Sequence, residues 1–295
     1  MVYNTGYMAN VGTISALANR EWVIFSDSLN HASIIDGCRL SGAETVVYDH
    51  VNTADLERKI KTRRKGRSAL IVTDGLFSVD GDIAPLPAIV ALAQAHDIMV
   101  MVDDAHATGV LGPEGGGTVD HFGLHDAIDI QMGTLSKALA GEGGFVAARK
   151  DVIDYLINGA RSFIFSTALS PVTIAVALKA LEIIRLEPEA RERLLANALW
   201  FRNRLRAAGF KVMESRTPII SLVIGEAKTA MLFSKLLYER GIFVTAIRPP
   251  TVPSGTSRLR ISIMATHTKA DLGKALNAIE AVGQELGILN HEKSL

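Results

Sequence analysis

The stretch SALIVTDGLFSVDGDIAPLPAIVALAQAHDIMVMVDDAH (68–106) decides the fold. Its two ends, SALIVTDG (68–75) and IMVMVDDA (98–105), are short, β-branched and apolar almost throughout, as strands are when both faces of their sheet are covered. Between them, PLPAIVALAQAHD (85–97) repeats aliphatic residues at helical spacing. Strand, helix, strand predicts an α/β architecture with a mainly parallel sheet. The same texture extends outward, with strands expected at EWVIFSD (21–27), AETVVYD (43–49), IDIQMGT (128–134), GGFVAA (143–148) and SFIFST (162–167). After Ser170-Pro171 it changes. Long helical patterns at 172–186 and 188–209 precede short strands at KVMES (211–215), PIISLVIG (218–225), IFVTAI (242–247) and RLRISI (258–263), with helices near 227–240 and 268–286. A large α/β domain over 1–171 and a smaller C-terminal α+β domain over 172–295 are expected.

The chain has 295 residues, 48% of them hydrophobic, enough for a sizeable core. Its 31 basic and 31 acidic residues cancel, and neither sign forms a long run. Electrostatics therefore favours neither a nucleic-acid partner nor an anionic membrane surface. Cys38, the one cysteine, excludes an intrachain disulfide and points to a reducing cytoplasm. No apolar run reaches spanning length, and MVYNTGYMAN has neither the charged nor the apolar region of a signal peptide. A soluble globular protein is expected.

In open α/β sheets ligands bind beyond the carboxyl ends of the strands. Polar residues gather there: Asp74 to Ser78, Asp103 to His106, and Thr134 to Lys137. In VDDAH one aspartate is explained as a helix cap, but not two with a histidine. One carboxylate with a cationic partner, and His106 donating to an anionic oxygen, accounts for the set; a metal site ranks lower, because no other ligand lies at suitable spacing. Lys137 follows Gly133-Thr134-Leu135-Ser136, where hydroxyls and backbone N–H groups can hold a phosphate. A lysine partly desolvated among such small residues is a competent amine nucleophile toward a carbonyl. Lysine, phosphate-binding hydroxyls and an upstream aspartate together suit pyridoxal 5′-phosphate (PLP). A nucleotide-binding Rossmann protein fits less well, since no G-x-G-x-x-G joins an early strand to a helix.

DSLNHASIIDG (27–37), TDGLFSVDGDIAPL (73–86), VDDAHATGVLG (102–112), GTLSKALAGEGGF (133–145), RSFIFSTALSP (161–171) and PTVPSGTSRLRISIMATHT (250–268) occur in one order. As a set they resemble the α-oxoamine synthases, fold-type I PLP enzymes that condense an amino acid with an acyl thioester and release CO2. The resemblance implies a PLP-transferase large domain and assigns Lys137 as the cofactor-bearing lysine that also removes the α-proton. It implies that Asp103 pairs with the pyridine nitrogen, His106 with the phenolic oxygen, and that His31 stacks on the ring, with His106 or His31 helping to polarise the thioester carbonyl. Ser78 matches a hydroxyl near the cofactor; Thr134 and the backbone around Gly6 and Tyr7 match the phosphate cup. Ser166 and Thr167 resemble residues that reach the phosphate from a neighbouring subunit, which implies a homodimer. Arg260 matches the arginine that holds the amino-acid carboxylate through a bidentate fork, and Arg248 is a second candidate.

Within the family, 133–145 and 161–171 look most like the branch of biotin biosynthesis that uses L-alanine and a pimeloyl thioester, carried by CoA or acyl carrier protein. Glycine C-acetyltransferase is the alternative inside the family. A PLP aminotransferase and an inactive pseudoenzyme are the alternatives outside it. MVYNTGYMAN resembles a segment well inside family members, so the large domain is expected to be N-terminally incomplete and these 295 residues alone poorly active.

Overall fold

The computed structural model describes residues 1–289. They divide into two compact units, one of residues 1–77 and 83–188, the other of residues 78–82 and 189 onward. The first unit runs β1 (Val2–Tyr3), α1 (Gly6–Leu17), β2 (Val23–Asp27), α2 (Ala32–Ser41), β3 (Glu44–Tyr48), α3 (Thr53–Arg63), β4 (Ala69–Asp74), α4 (Leu86–Ala95), β5 (Met99–Asp103), α5 (Thr118–His121), β6 (Ile130–Thr134), β7 (Gly144–Ala148), α6 (Lys150–Gly159), α7 (Arg161–Ile164) and α8 (Pro171–Leu186). Among the described residues, its seven strands form one sheet in the order β1-β7-β6-β5-β4-β2-β3. Strands β2 to β6 pair in parallel, whereas β7 runs antiparallel to both β6 and β1.

The period-two alternation explains why these strands are apolar throughout. Ile24, Leu70, Val72, Met101 and Ile130 face one layer with Ile14 of α1, Ile34 of α2 and Leu156 of α6. Val23, Phe25, Ile71, Val100 and Val102 face the other with Leu56 of α3, Ile89 of α4 and Val119 of α5. Each strand thus feeds two cores, and a polar side chain at mid-strand would be buried whichever way it pointed.

Three expectations need correction. SFIFST (162–167) is not a strand: Arg161–Ile164 makes one helical turn, and the chain then runs to Ser170, which caps α8 through Thr173 N–H at 3.2 Å. A short aromatic and β-branched run satisfies either periodicity, and here the cap and Pro171 begin a helix instead. KVMES pairs with its neighbour only through an isolated Val212–Leu222 bridge and two flanking backbone bonds. The division between units falls after Pro188 rather than after 171, because Ala177 and Ile184 of α8 pack on Leu135 and Leu139 of the first unit. The positions 290–295 of the expected small domain lie outside the described residues.

The second unit runs α9 (Pro188–Ala207), β8 (Ile219–Gly225), α10 (Ala227–Glu239), β9 (Thr245–Ile247), β10 (Ser257–Ser262) and α11 (Lys269–Glu285). Its sheet has the order β8-β10-β9, antiparallel throughout. Residues 78–82 join it from far away in the chain: Gly81 O accepts from Ser215 Oγ at 2.7 Å and Thr217 Oγ1 at 2.9 Å. Arg258 Nη1 donates to both Asp80 carboxylate oxygens, at 2.5 and 2.7 Å, from an almost buried position. Removing one partner strands the other charge. Asp80→Ala is therefore expected to cost about 3 kcal/mol, read by urea unfolding, and Asp80→Asn less.

Candidate active site

The carboxyl ends of β2, β4, β5 and β6 carry Asp27, Asp74, Asp103 and Thr134 in adjacent positions, and the register sets Asp74 beside Asp103. The N-terminus of α1 closes on this edge. Thr5 caps it by accepting from Met8 N–H at 3.1 Å, which leaves the first-turn amides of Gly6 and Tyr7 without an intrahelical acceptor. A Cβ at Gly6 would lie 2.9 Å from Met132 Cε and 3.3 Å from Thr134 Oγ1, and one at Gly144 would lie 2.6 Å from Gly6 Cα. Only glycine at both positions lets the helix end and the β6–β7 turn come this close, and a helix N-terminus beside hydroxyls is a site for an anion.

Thr134 Oγ1 donates to Gly143 O at 2.9 Å and accepts from Ser136 Oγ at 2.8 Å. Leu135 and Leu139 are buried and anchor the turn between them, which Gly141 N–H closes on Leu135 O at 2.7 Å. Lys137 consequently projects outward. The expected partly desolvated lysine is exposed, because the two leucines take the inward positions. Its charge still acts on the edge: burial raises the pKa of Asp74, and the charge of Lys137 offsets a part of that rise.

Asp103 is buried. Its Oδ1 accepts from Ala105 N–H at 2.8 Å and its Oδ2 from Asn10 Nδ2 at 2.6 Å. Asn10, on α1, also donates to Ser33 Oγ at 2.8 Å, and Ser33 contacts His31 Nδ1 through Oγ at 2.7 Å and N–H at 3.2 Å. His31 is the exposed N-cap of α2, with Tyr7 edge-on at 6.5 Å between ring centroids. Its backbone N–H donates to Asp74 Oδ2 at 2.9 Å. His106 is half-buried in the turn after β5, next to the neighbours Asp103 and Asp104. Asp104 is structural: it accepts from Thr118 N–H and Oγ1 and from Gln131 Nε2, and burial raises its pKa.

The edge thus unites Gly6, Tyr7, His31, Asp103, His106, Thr134 and Lys137 in one unit. Ser166 lies in the same unit, donating to Asn4 Oδ1 at 3.3 Å, while Thr167 is exposed and lines a groove of about 550 Å³ with Asn4 and Ile174. Ser78 belongs with the second unit. There Arg260 occupies β10 between Ser221 and Thr245, half-buried, with burial lowering its pKa and its Nε lacking a hydrogen-bond partner. Arg248 is exposed and donates to its neighbour's carbonyl, Pro249 O, at 3.2 Å.

The aminotransferase class I and II family model matches residues 1–279. The 8-amino-7-oxononanoate synthase of Lysinibacillus sphaericus is 54% identical over 289 residues, which cover 98% of this chain and 74% of that protein. The chain belongs to this aminotransferase family, in its α-oxoamine synthase group. A putative 8-amino-7-oxononanoate synthase of Acetivibrio thermocellus is 56% identical, with the same coverage. Among solved structures of the group, a serine palmitoyltransferase variant from S. paucimobilis with a bound PLP–myriocin aldimine superposes with a TM-score of 0.94 at 36% identity, over 98% of this chain and 73% of that one. The 8-amino-7-oxononanoate synthase of Francisella tularensis gives 0.84 at 30% identity, over 97% and 82%. The fold is the fold-type I α/β architecture that the sequence predicts.

For this α-oxoamine synthase, sequence reasoning passes over Asn10. The signal was present, since Asn10 and Thr13 are polar residues on the buried stripe of α1 beside Ala9 and Ile14. Asp74 also does more than end a strand. Burial, and then the charge of Asp103, raise its pKa. The folded chain therefore holds that proton more tightly than the unfolded chain. The resulting stability is complete below the unfolded value, about 4, and is lost as pH rises through the folded one. Asp74→Asn is expected to raise the melting temperature of the PLP-free chain at pH 8, with the gain shrinking toward pH 5, as calorimetry at the two pH values would show.

Proposed function

We propose that this chain is an 8-amino-7-oxononanoate synthase: it condenses L-alanine with a pimeloyl thioester, with loss of CO2, using PLP, in biotin biosynthesis. The observation that carries the reading is the single edge holding Lys137, the buried Asp103 and the phosphate-ready α1 N-terminus. The 54–56% identity to proteins of that name supports the substrate. PLP fits the residues present. Two buried carboxylates lie side by side, and a protonated pyridine nitrogen is the cation that relieves them. Asn10 Oδ1 is buried without a partner beside the same carboxylate, and glycine at position 6 lets the α1 N-terminus lie against the Thr134 hydroxyl, a donor set suited to a phosphate.

When bound, PLP supplies an electron sink for the pair left at the amino acid's α-carbon. The chain's own residues would do the rest. Lys137 Nζ would be the amine that holds the cofactor and, when free, the base that takes the α-proton. Its outward projection from a leucine-anchored turn supports both tasks. Asp103, fixed by its bonds to Ala105 and Asn10, would keep the proton on the pyridine nitrogen. Thr134, Ser136 and the Gly6 and Tyr7 amides take the phosphate, with the Thr134 hydroxyl turning its hydrogen from Gly143 O. His31 would stack on the ring and His106 would donate to its phenolic oxygen; either would supply a donor to the thioester carbonyl. Ser78 contributes a hydroxyl. Arg260, whose Nε lacks a partner, takes the amino-acid carboxylate, with Arg248 as a second cation.

A homodimer belongs to the same reading. Val172, Leu178 and Leu186 of α8 are exposed by 63–73%, as is Phe165 before them, and a second copy covering this face would bring Ser166 and Thr167 to its partner's phosphate. Light scattering is expected to give a dimer mass. A cytoplasmic location is supported by the single, buried Cys38, and no helix among the described residues is long and apolar enough to cross a membrane.

The test offers the chain, with PLP, L-alanine plus pimeloyl-CoA or pimeloyl-ACP against glycine plus acetyl-CoA. Product and CO2 from the alanine pair in preference are expected. The comparison is a ratio, so it does not depend on absolute rate. Preference for the glycine pair moves the chain to glycine C-acetyltransferase, and conversion of PLP to its amine form without CO2 makes it an aminotransferase.

A further inference from the structure

The hydrogens around Asn10 can be assigned one by one. A carboxylate only accepts, so the Asn10 atom 2.6 Å from Asp103 Oδ2 is the amide nitrogen. The same nitrogen donates to Ser33 Oγ at 2.8 Å. A backbone N–H only donates, so His31 Nδ1, which receives Ser33 N–H at 3.2 Å, carries no hydrogen. Ser33 Oγ, 2.7 Å from that nitrogen and already accepting from Asn10, therefore turns its own hydrogen to Nδ1. Every donor in the chain Asn10, Ser33, His31 then points the same way, and the His31 ring hydrogen is on Nε2.

We propose that Asn10 and Ser33 are positioning residues that join Asp103 to His31 and fix His31 as its Nε2–H tautomer. Neither touches reacting atoms. Asn10 is 1% and Ser33 1% exposed, so both are held by packing on the buried sides of α1 and α2, and water does not compete for their bonds. Asn30 steadies the same loop. Its Oδ1 accepts from Asp74 N–H at 2.9 Å, its Nδ2 donates to Val72 O at 2.8 Å, and Asp74 in turn accepts from His31 N–H. The significance for catalysis rests on the proposed function. If Asp103 faces the pyridine nitrogen and His31 the ring, one amide sets the spacing of both and leaves Nε2–H as the hydrogen that His31 can offer to a substrate oxygen.

The test separates these two layers. In the PLP-free chain labelled with 15N-histidine, His31, assigned by its loss in His31→Gln, is expected to show a hydrogen-bonded imine nitrogen at Nδ1 and an N–H at Nε2. Ser33→Ala is expected to shift Nδ1 toward the free imine value and Ser33→Thr to restore it. Asn10→Ala should move it in the same direction although Asn10 does not touch His31. A hydrogen on Nδ1 in the wild-type chain, or an Nδ1 signal that Ser33→Ala and Asn10→Ala both leave in place, overturns the assignment. The wild-type spectrum alone decides if the variants do not fold. PLP affinity by absorbance titration should fall about tenfold in Asn10→Ala. Failure of PLP to bind any form would sink the proposed function while leaving the nitrogen signals as the test of the relay.

Discussion

Lys137→Ala is expected to lose turnover by about a thousandfold or more while leaving the fold untouched. Positioned proton transfer alone is worth roughly 10²–10⁴ in rate, and the reading gives this amine covalent attachment as well. The structural side of the prediction is as strong as the chemical side. Leu135 and Leu139 anchor the turn on α8, Gly141 N–H closes it, and Lys137 itself is exposed, so truncation leaves these anchoring contacts in place. One electrostatic consequence follows: without the lysine's charge, the Asp74 carboxyl loses an influence that lowers its pKa and rises further. Borohydride treatment of the PLP-loaded wild type should fix pyridoxal to the chain at one peptide, and the variant should retain none. A variant with more than a tenth of wild-type activity would remove Lys137 from the chemistry.

The turn that presents Lys137 was legible in the sequence because glycines, hydroxyls and one lysine at a strand exit have few other uses. The strands were legible for a related reason: burial on both faces imposes an unbroken apolar run, visible in 68–75 and 98–105 without knowing any neighbour. What stayed hidden depends on partners distant in the chain. Arg258 reads as an ordinary charge until Asp80, 178 positions earlier, is seen to take its fork, and that pair draws 78–82 out of the first unit. The apolar run at 161–167 misleads for the opposite reason, since it is short enough to satisfy both periods. Asn10 shows the limit within the site. Its residue type marks it as a buried polar group, but that its two bonds run to Asp103 and Ser33 follows only from how α1 crosses the strand ends.

Asp103→Asn is expected to separate activity from stability. The substitution keeps the shape and removes the charge. In the wild type the two carboxylate oxygens each accept one bond, from Ala105 N–H and from Asn10 Nδ2. An amide has a single accepting oxygen, so one of those buried donors is left without its acceptor, at about 1–3 kcal/mol. Against this, the charge of Asp103 is, after burial, a cause that raises the Asp74 pKa, and removing it eases the ionisation of its buried neighbour. The PLP-free variant should accordingly melt within a few degrees of wild type. Turnover should behave differently. A neutral side chain opposite the pyridine nitrogen no longer favours the protonated ring, and loss of a preorganised electrostatic partner costs roughly 10²–10³ in rate. The expected result is near-native melting with a rate at least a hundredfold lower and weaker PLP binding, measured by calorimetry, steady-state kinetics and absorbance titration on one preparation. Activity within tenfold of wild type would mean that another group faces the ring nitrogen, and Asp74, its neighbour in the register, is the residue to which the role would pass.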